Sequence, residues 1–292
     1  MRLGGEGPSS NFEDRTGQSG GGFGGGGGNL LGCLLPLVMS RFGLIGVAVL
    51  LLGYCALQSL GGGGIISGGS PSTTAPSGQS KLEPKMEDFL KRVLGSTEET
   101  WGEIFAKSGS QYQPTGMVAY SNYNQSGCGA AQAAMGPFYC PTDQKIYIDP
   151  TFFNELSQRF GAPGDAAMAY VIAHEVGHHI QDLQGTLNEA HNAQARAGGQ
   201  TQGNAIQVQV ELQADCYAGV WMANARDAQG SIVEPGDAEE GMRAAEAIGD
   251  DTLQKQMQGM VVPESFTHGS SEQRMAALQL GMKTGSPAAC KF

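Results

Sequence analysis

The chain has 292 residues, with 17 Lys+Arg against 28 Asp+Glu and a formal net charge of −11. Such a surplus of acids disfavours nucleic acid and anionic lipid as partners, since like charge repels them. The length permits one or two domains, but residues 1–80 do not have globular composition.

In chain order, residues 1–29 are glycine-rich and nearly free of apolar side chains, so they predict a disordered tail. Residues 30–60 are strongly apolar with Arg41 as their only charge. The uncharged run 42–60 has about the length of a helix that crosses a bilayer. A buried core helix is the other reading, but one uncharged on every face for so long is rare. Arg41 precedes the run and the next basic residue is Lys81, so the positive-inside rule puts 1–29 in the cytoplasm and the rest outside. No small-x-small site follows, and the segment reads as a retained single-pass anchor in the cytoplasmic (inner) membrane. Residues 61–83 are rich in Gly, Ser, Pro and Thr, which predicts a flexible tether. The folded domain is expected over 84–292, a size for one core facing the periplasm or cell exterior.

Helix signals dominate that domain. Ser96-Thr97-Glu98-Glu99 has a capping-box pattern opening a helix toward Lys107. Asp149-Pro150 predicts a helix to about Phe160, and Gly164-Asp165 opens one ending near Gly185. Further helices are expected over about 203–226, from Asp237 to about Ile248, and from Ser270/Ser271 to Gly281. Strands are expected at 117–120 and as a hairpin pairing 138–140 with 145–148. The fold class that follows is α+β: a mainly helical domain with a small sheet, preceded by one transmembrane helix. The hairpin could offer an edge for an extended peptide, or simply complete the core.

Cys33 and Cys55 fall in the apolar region, leaving Cys128, Cys140, Cys216 and Cys290 in an oxidising compartment. Cys128–Cys140 would close a short loop, which leaves Cys216 with Cys290. A structural zinc site would call for paired C-x-x-C spacing, which is absent.

His174-Glu175-Val176-Gly177-His178 carries the chemistry. Histidines four apart share one helical face, so both imidazoles can reach one metal ion, and the intervening carboxylate can take a proton from water beside it. A hydrolytic zinc site needs a third protein ligand. His179 points about 100° away from His178, and His191 lies in a Gly- and Ala-rich connection and reads as solvated. Glu211, on the next long helix, completes a His2Glu set. Asp215, one turn later on the same face, can accept the second ring N–H of a ligating histidine. For an isolated E-x-x-x-D, ordinary surface charge would be the better reading. Gly177 costs about 1 kcal/mol within a helix, which either a close approach near the metal or a tight helix crossing would explain.

Several blocks together resemble the bacterial neutral zinc metallopeptidase family, membrane-anchored relatives of the gluzincins. They are Ser10-Asn11-Phe12-Glu13-Asp14-Arg15 before the glycine tract, Gly136-Pro137-Phe138-Tyr139-Cys140-Pro141, AYVIAHEVGHHIQ at 169–181, ELQADCYAGVW at 211–221 and SFTHGSSEQR at 265–274. The resemblance spans nearly the whole chain and implies a gluzincin-type, zincin-like peptidase domain. It implies one Zn2+ per chain held by His174, His178 and Glu211, with Glu175 as catalytic base. Thr267-His268-Gly269 resembles a Thr-His-Pro segment of related peptidases, implying that His268 binds the oxyanion. Glycine replaces their proline at 269. The expected function is a membrane-anchored zinc metalloendopeptidase acting on peptide or protein, with no nucleic-acid partner. The alternatives are a zinc-stabilised, non-catalytic envelope scaffold and a cell-wall amidase.

Overall fold

The computed structural model describes residues 1–5, 7–18 and 80–292. The expected membrane segment, the rest of the glycine tract and most of the tether lie outside the described residues. Among the described residues, no helix is long and apolar enough to cross a membrane.

The chain opens with strand β1 (Phe12–Asp14), and helix α1 spans Pro84–Lys107. A proline in its first turn marks the start, well before the expected capping box. Ser96 and Thr97 are instead buried in mid-helix, where the Ser96 hydroxyl accepts from Trp221 Nε1 at 3.1 Å. Burial against another helix overrides the local capping pattern. Strands β2 (Gly116–Ala119), β3 (Tyr123–Ser126), β4 (Gly129–Gln132), β5 (Phe138–Cys140) and β6 (Lys145–Ile148) follow. The main sheet has the order β1-β2-β6-β5, parallel across β1, β2 and β6, with β5 antiparallel to β6. The expected strand at 117 and the 138–148 hairpin are both present. β3 and β4 form a separate hairpin that the sequence reading missed.

β1 corrects the disordered-tail reading for the described residues 1–5 and 7–18. Phe12 pairs in register with Met117, and Met117 N–H donates to the Asn11 carbonyl at 2.8 Å. Ser9 Oγ and Asn11 Nδ2 donate to Glu98 at 2.7 and 2.8 Å, while Met1, Leu3 and Phe12 pack on the core. The driving force is local: β2 would otherwise expose an unpaired edge, and three apolar side chains suffice to hold a short cover. A single membrane crossing between β1 and α1 would put the two halves of one sheet on opposite sides of the bilayer. Pairing of β1 with β2 is incompatible with a single crossing between them.

The helical layer comprises α2 (Thr151–Gln158), α3 (Asp165–Leu183), α4 (Thr186–Arg196), α5 (Gln200–Asn224), α6 (Asp237–Ala247), α7 (Asp250–Gln258) and α8 (Ser271–Thr284). Asp149, one residue before the N-cap Pro150 of α2, accepts from Thr151 N at 3.0 Å, and Ser270 and Gln273 form a capping box on α8. α4 and α7 went unread, because neither carries a strong apolar stripe. Trp101, Trp221, Tyr170, Leu90 and Leu94 fill the core where α1, α3 and α5 meet. Both expected disulfides, Cys128–Cys140 and Cys216–Cys290, are formed.

α3 and α5 cross at Gly177, which decides between its two readings in favour of the helix crossing. A Cβ there would lie 2.8 Å from the Ala214 carbonyl oxygen and 2.9 Å from Ala214 Cα. Backbone cannot yield as a flexible side chain can. Gly177→Ala is therefore expected to cost about 1–2 kcal/mol net, overpacking outweighing the gain in helix propensity. Urea denaturation would measure this as a lower midpoint at an unchanged slope.

Candidate metal centre

α3 presents His174 and His178 one turn apart, with ring centroids separated by 4.8 Å. α5 crosses them through the Gly177–Ala214 contact and brings Glu211 to the same point. Glu211 Oε2 lies 3.2 Å from His174 Nε2 and 3.5 Å from His178 Nε2. All three donors fall within 4.8 Å of one another. A tetrahedral zinc with ordinary Zn–N and Zn–O bonds spaces its ligand atoms roughly 3.3 Å apart, so these residues fit that ion.

The outer faces of the ligands are tied down. His174 Nδ1 lies 2.7 Å from Asp215 Oδ1, as expected for a carboxylate that orients a ligating ring. Asp215 also accepts from Tyr170 Oη at 2.6 Å and from Arg274 Nε and Nη2 at 2.8 and 2.9 Å. His178 Nδ1 meets Gln181 Oε1 at 2.9 Å, and Gln207 Nε2 donates to Glu211 Oε1 at 2.8 Å. The sequence reading found Asp215 but missed Tyr170, Gln181, Gln207 and Arg274. Helical spacing alone could have flagged Gln181, three residues after His178, and Gln207, four before Glu211.

The electrostatics favour positive charge at this point. Burial opposes ionisation of His174, but the carboxylates of Asp215 and Glu211 outweigh it and push its pKa up to about 10. His178 is raised by Glu211 against the same burial. Burial likewise opposes a charged Glu211, yet the two imidazoles hold it well below the ordinary carboxylate range. Arg274 and His174 together do the same for Asp215. A divalent cation at the shared point competes with protons for these ligands.

Glu175 lines the same cleft, and its carboxylate makes no side-chain hydrogen bond among the described residues. The cleft encloses about 610 Å³. Phe138 and Tyr139 of β5, an edge strand among the described residues, form one wall. Tyr139 straps that edge to α3: its hydroxyl donates to Asp182 at 2.8 Å and lies 3.0 Å from His179 Nδ1. His179 thus faces away from the metal point, as its position predicts, and its Nε2 donates to the Gln113 carbonyl at 2.6 Å. His191 is exposed, as expected, but stands on α4 and lines the cleft rather than lying in an irregular connection.

His268 also reaches the cleft, with its ring half-exposed. Its Nδ1 lies 3.3 Å from Asp250 Oδ1, while Asp250 Oδ2 accepts the backbone N–H groups of Thr267, His268 and Gly269 at 2.6, 2.6 and 3.1 Å. These bonds, together with the His268 ring, hold the Asp250 carboxyl below its ordinary pKa despite burial. Gly269 has φ of 91°, closed to the proline of related segments, whose ring fixes φ near −65°. The loop reaches the cleft by a route of its own. A second acidic group, Asp165, Asp237 and Glu240, is engaged elsewhere: Met1 N lies 2.8 Å from Asp165 and 3.3 Å from Asp237.

Two imidazoles, a carboxylate converging on them and a neighbouring second carboxylate in an open cleft have the donor chemistry of a hydrolytic zinc centre. The chain belongs to the bacterial family described as "putative neutral zinc metallopeptidase", which matches it over residues 1–292. It is 43% identical over 294 residues to the uncharacterized protein YpfJ of Escherichia coli K12, covering 99% of this chain and 98% of that one. It is 41% identical over 183 residues, 60% of each chain, to the uncharacterized protein Rv2575 of Mycobacterium tuberculosis H37Rv. No solved structure matches.

Proposed function

We propose that this chain is a gluzincin-type zinc metalloendopeptidase in which His174, His178 and Glu211 hold one zinc and Glu175 is the general base. The observation that carries this reading is the spacing of the three donors, 3.2 and 3.5 Å about Glu211 Oε2, with Glu175 on the cleft side. Bound by these residues, zinc would supply Lewis acidity, lowering the pKa of a water in the cleft to about 7 and polarising the scissile carbonyl. Glu175 takes the proton from the attacking water and returns it to the leaving amine. His268, steadied by Asp250, donates to the oxyanion as it forms. The substrate chain lies extended along the edge strand β5, where backbone hydrogen bonds bind it without regard to sequence.

The same proposal places the domain outside the cytoplasm and holds it at that face of a membrane through 30–60, not as a single-pass span, since β1 and β2 pair across that segment. The two disulfides support that side, since such bonds persist in oxidising compartments. Residues 1–18 share it, because β1 belongs to the sheet.

The purified full chain is expected to carry about one zinc and to cleave denatured protein. A chelator should abolish cleavage, and one equivalent of zinc should restore it. Removing zinc should also lower the melting temperature, because at a thousandfold excess over its dissociation constant bound metal stabilises by about 4 kcal/mol. Turnover of cell-wall fragments alone would replace the peptidase with an amidase. Zinc retention without turnover on either substrate would make the domain a scaffold.

A further inference from the structure

Beyond the ligands, we propose that Gln181 and Gln213 are positioning residues that tie His178 to the disulfide-held C-terminus. The inference rests on the zinc reading above but not on catalysis. Gln181 is fully buried. Its Nε2 donates to the Val210 carbonyl at 2.7 Å and to Gln213 Oε1 at 2.9 Å, and its Oε1 faces His178 Nδ1 at 2.9 Å. Gln213 Nε2 in turn donates to the Cys290 carbonyl at 2.9 Å. Cys290 is bonded to Cys216 on α5, one residue after Asp215.

The polarity of this chain of amides is fixed at two places. Backbone carbonyls only accept, so the Val210 carbonyl forces the NH2 end of Gln181 toward α5. That leaves the Gln181 oxygen against His178, which must then carry its proton on Nδ1 and present the Nε2 lone pair to the metal. The Cys290 carbonyl acts likewise on Gln213, whose oxygen is thereby left to receive Gln181. A reversed amide would set an NH2 group against Nδ1 and turn a proton toward the zinc position. His174 takes its tautomer from a carboxylate; His178 takes it from two amides and the C-terminal segment. Val210 precedes the ligand Glu211, so Gln181 also fixes the two metal-bearing helices relative to each other.

Zinc affinity of the full chain, measured against a chromophoric chelator, is the test. Gln181→Met, similar in size and without hydrogen bonds, is expected to weaken zinc about 10–100-fold. Gln213→Met should weaken it less, since Val210 still holds Gln181. The double variant Cys216→Ala/Cys290→Ala should weaken zinc with Gln213 present and have little further effect with Gln213→Met, a non-additive cycle. Imidazole nitrogen shifts should show His178 protonated at Nδ1 in wild type and mixed between tautomers in Gln181→Met. Wild-type zinc affinity and an unchanged tautomer in Gln181→Met would overturn the proposal. Additive effects of Gln213→Met and the cysteine pair would remove the C-terminus from it. Because none of these measurements involves turnover, an inactive wild type would refute the peptidase without touching this inference.

Discussion

Glu175→Gln is expected to lower peptide hydrolysis between about 100- and 10,000-fold while leaving zinc at one per chain. Glutamine keeps the size of the side chain and its place on the cleft wall but cannot accept the proton of the attacking water. Glu175 is not among the three donors that converge within 4.8 Å, so its replacement leaves the metal's ligands in place. Its carboxylate makes no side-chain hydrogen bond among the described residues, so its replacement frees no partner. The loss should therefore fall in kcat rather than KM, because proton transfer is needed only in the transition state. Glu211→Gln gives the contrast. It should reduce zinc affinity first and activity as a consequence, so added zinc should recover part of its activity and none of that of Glu175→Gln. Turnover by Glu175→Gln at the wild-type rate would sink the assignment of the base.

The candidate metal donors were legible because they obey a local rule. Two histidines one turn apart and a Glu–Asp pair one turn apart each mark a single helical face, whatever the tertiary structure. Pairing the four cysteines was similarly simple once two had been set aside with the apolar segment. What stayed hidden depends on who packs against whom. Arg274 sits in a stretch singled out for His268, and nothing local says that its guanidinium turns inward to Asp215 rather than out to water. Ser96 carried a capping pattern that burial under Trp221 overrode. β1 was lost to averaging: three residues around Phe12 form a strand only because β2 offers an edge, and the neighbouring glycines dominate any composition window. Gly177 showed the opposite relation, a local cost whose cause lay on another helix at Ala214.

Arg274→Met should cost about 3–5 kcal/mol of folding stability, far more than a surface ion pair, which contributes about 0–1 kcal/mol. The difference comes from burial: Asp215 is wholly buried and Arg274 is nearly so. Arg274 gives Asp215 two hydrogen bonds and its counter-charge, and also donates from Nη1 to the Ile248 carbonyl at 3.2 Å. Without it the carboxylate keeps only Tyr170 and His174 as donors, in a place where an unpaired charge is costly. Replacing both members should behave differently. Arg274→Met with Asp215→Leu removes the charge together with its partner and should regain most of the lost stability. It should not regain zinc, because His174 loses the acceptor that orients it, and a weakening of about 10–100-fold is expected. Denaturant midpoints of the metal-free proteins read the first effect, and chelator competition reads the second. Stability and metal affinity, which fall together in Arg274→Met, would thus separate in the double variant. A single Arg274→Met variant as stable as wild type would mean that Asp215 is not a buried carboxylate relying on this guanidinium.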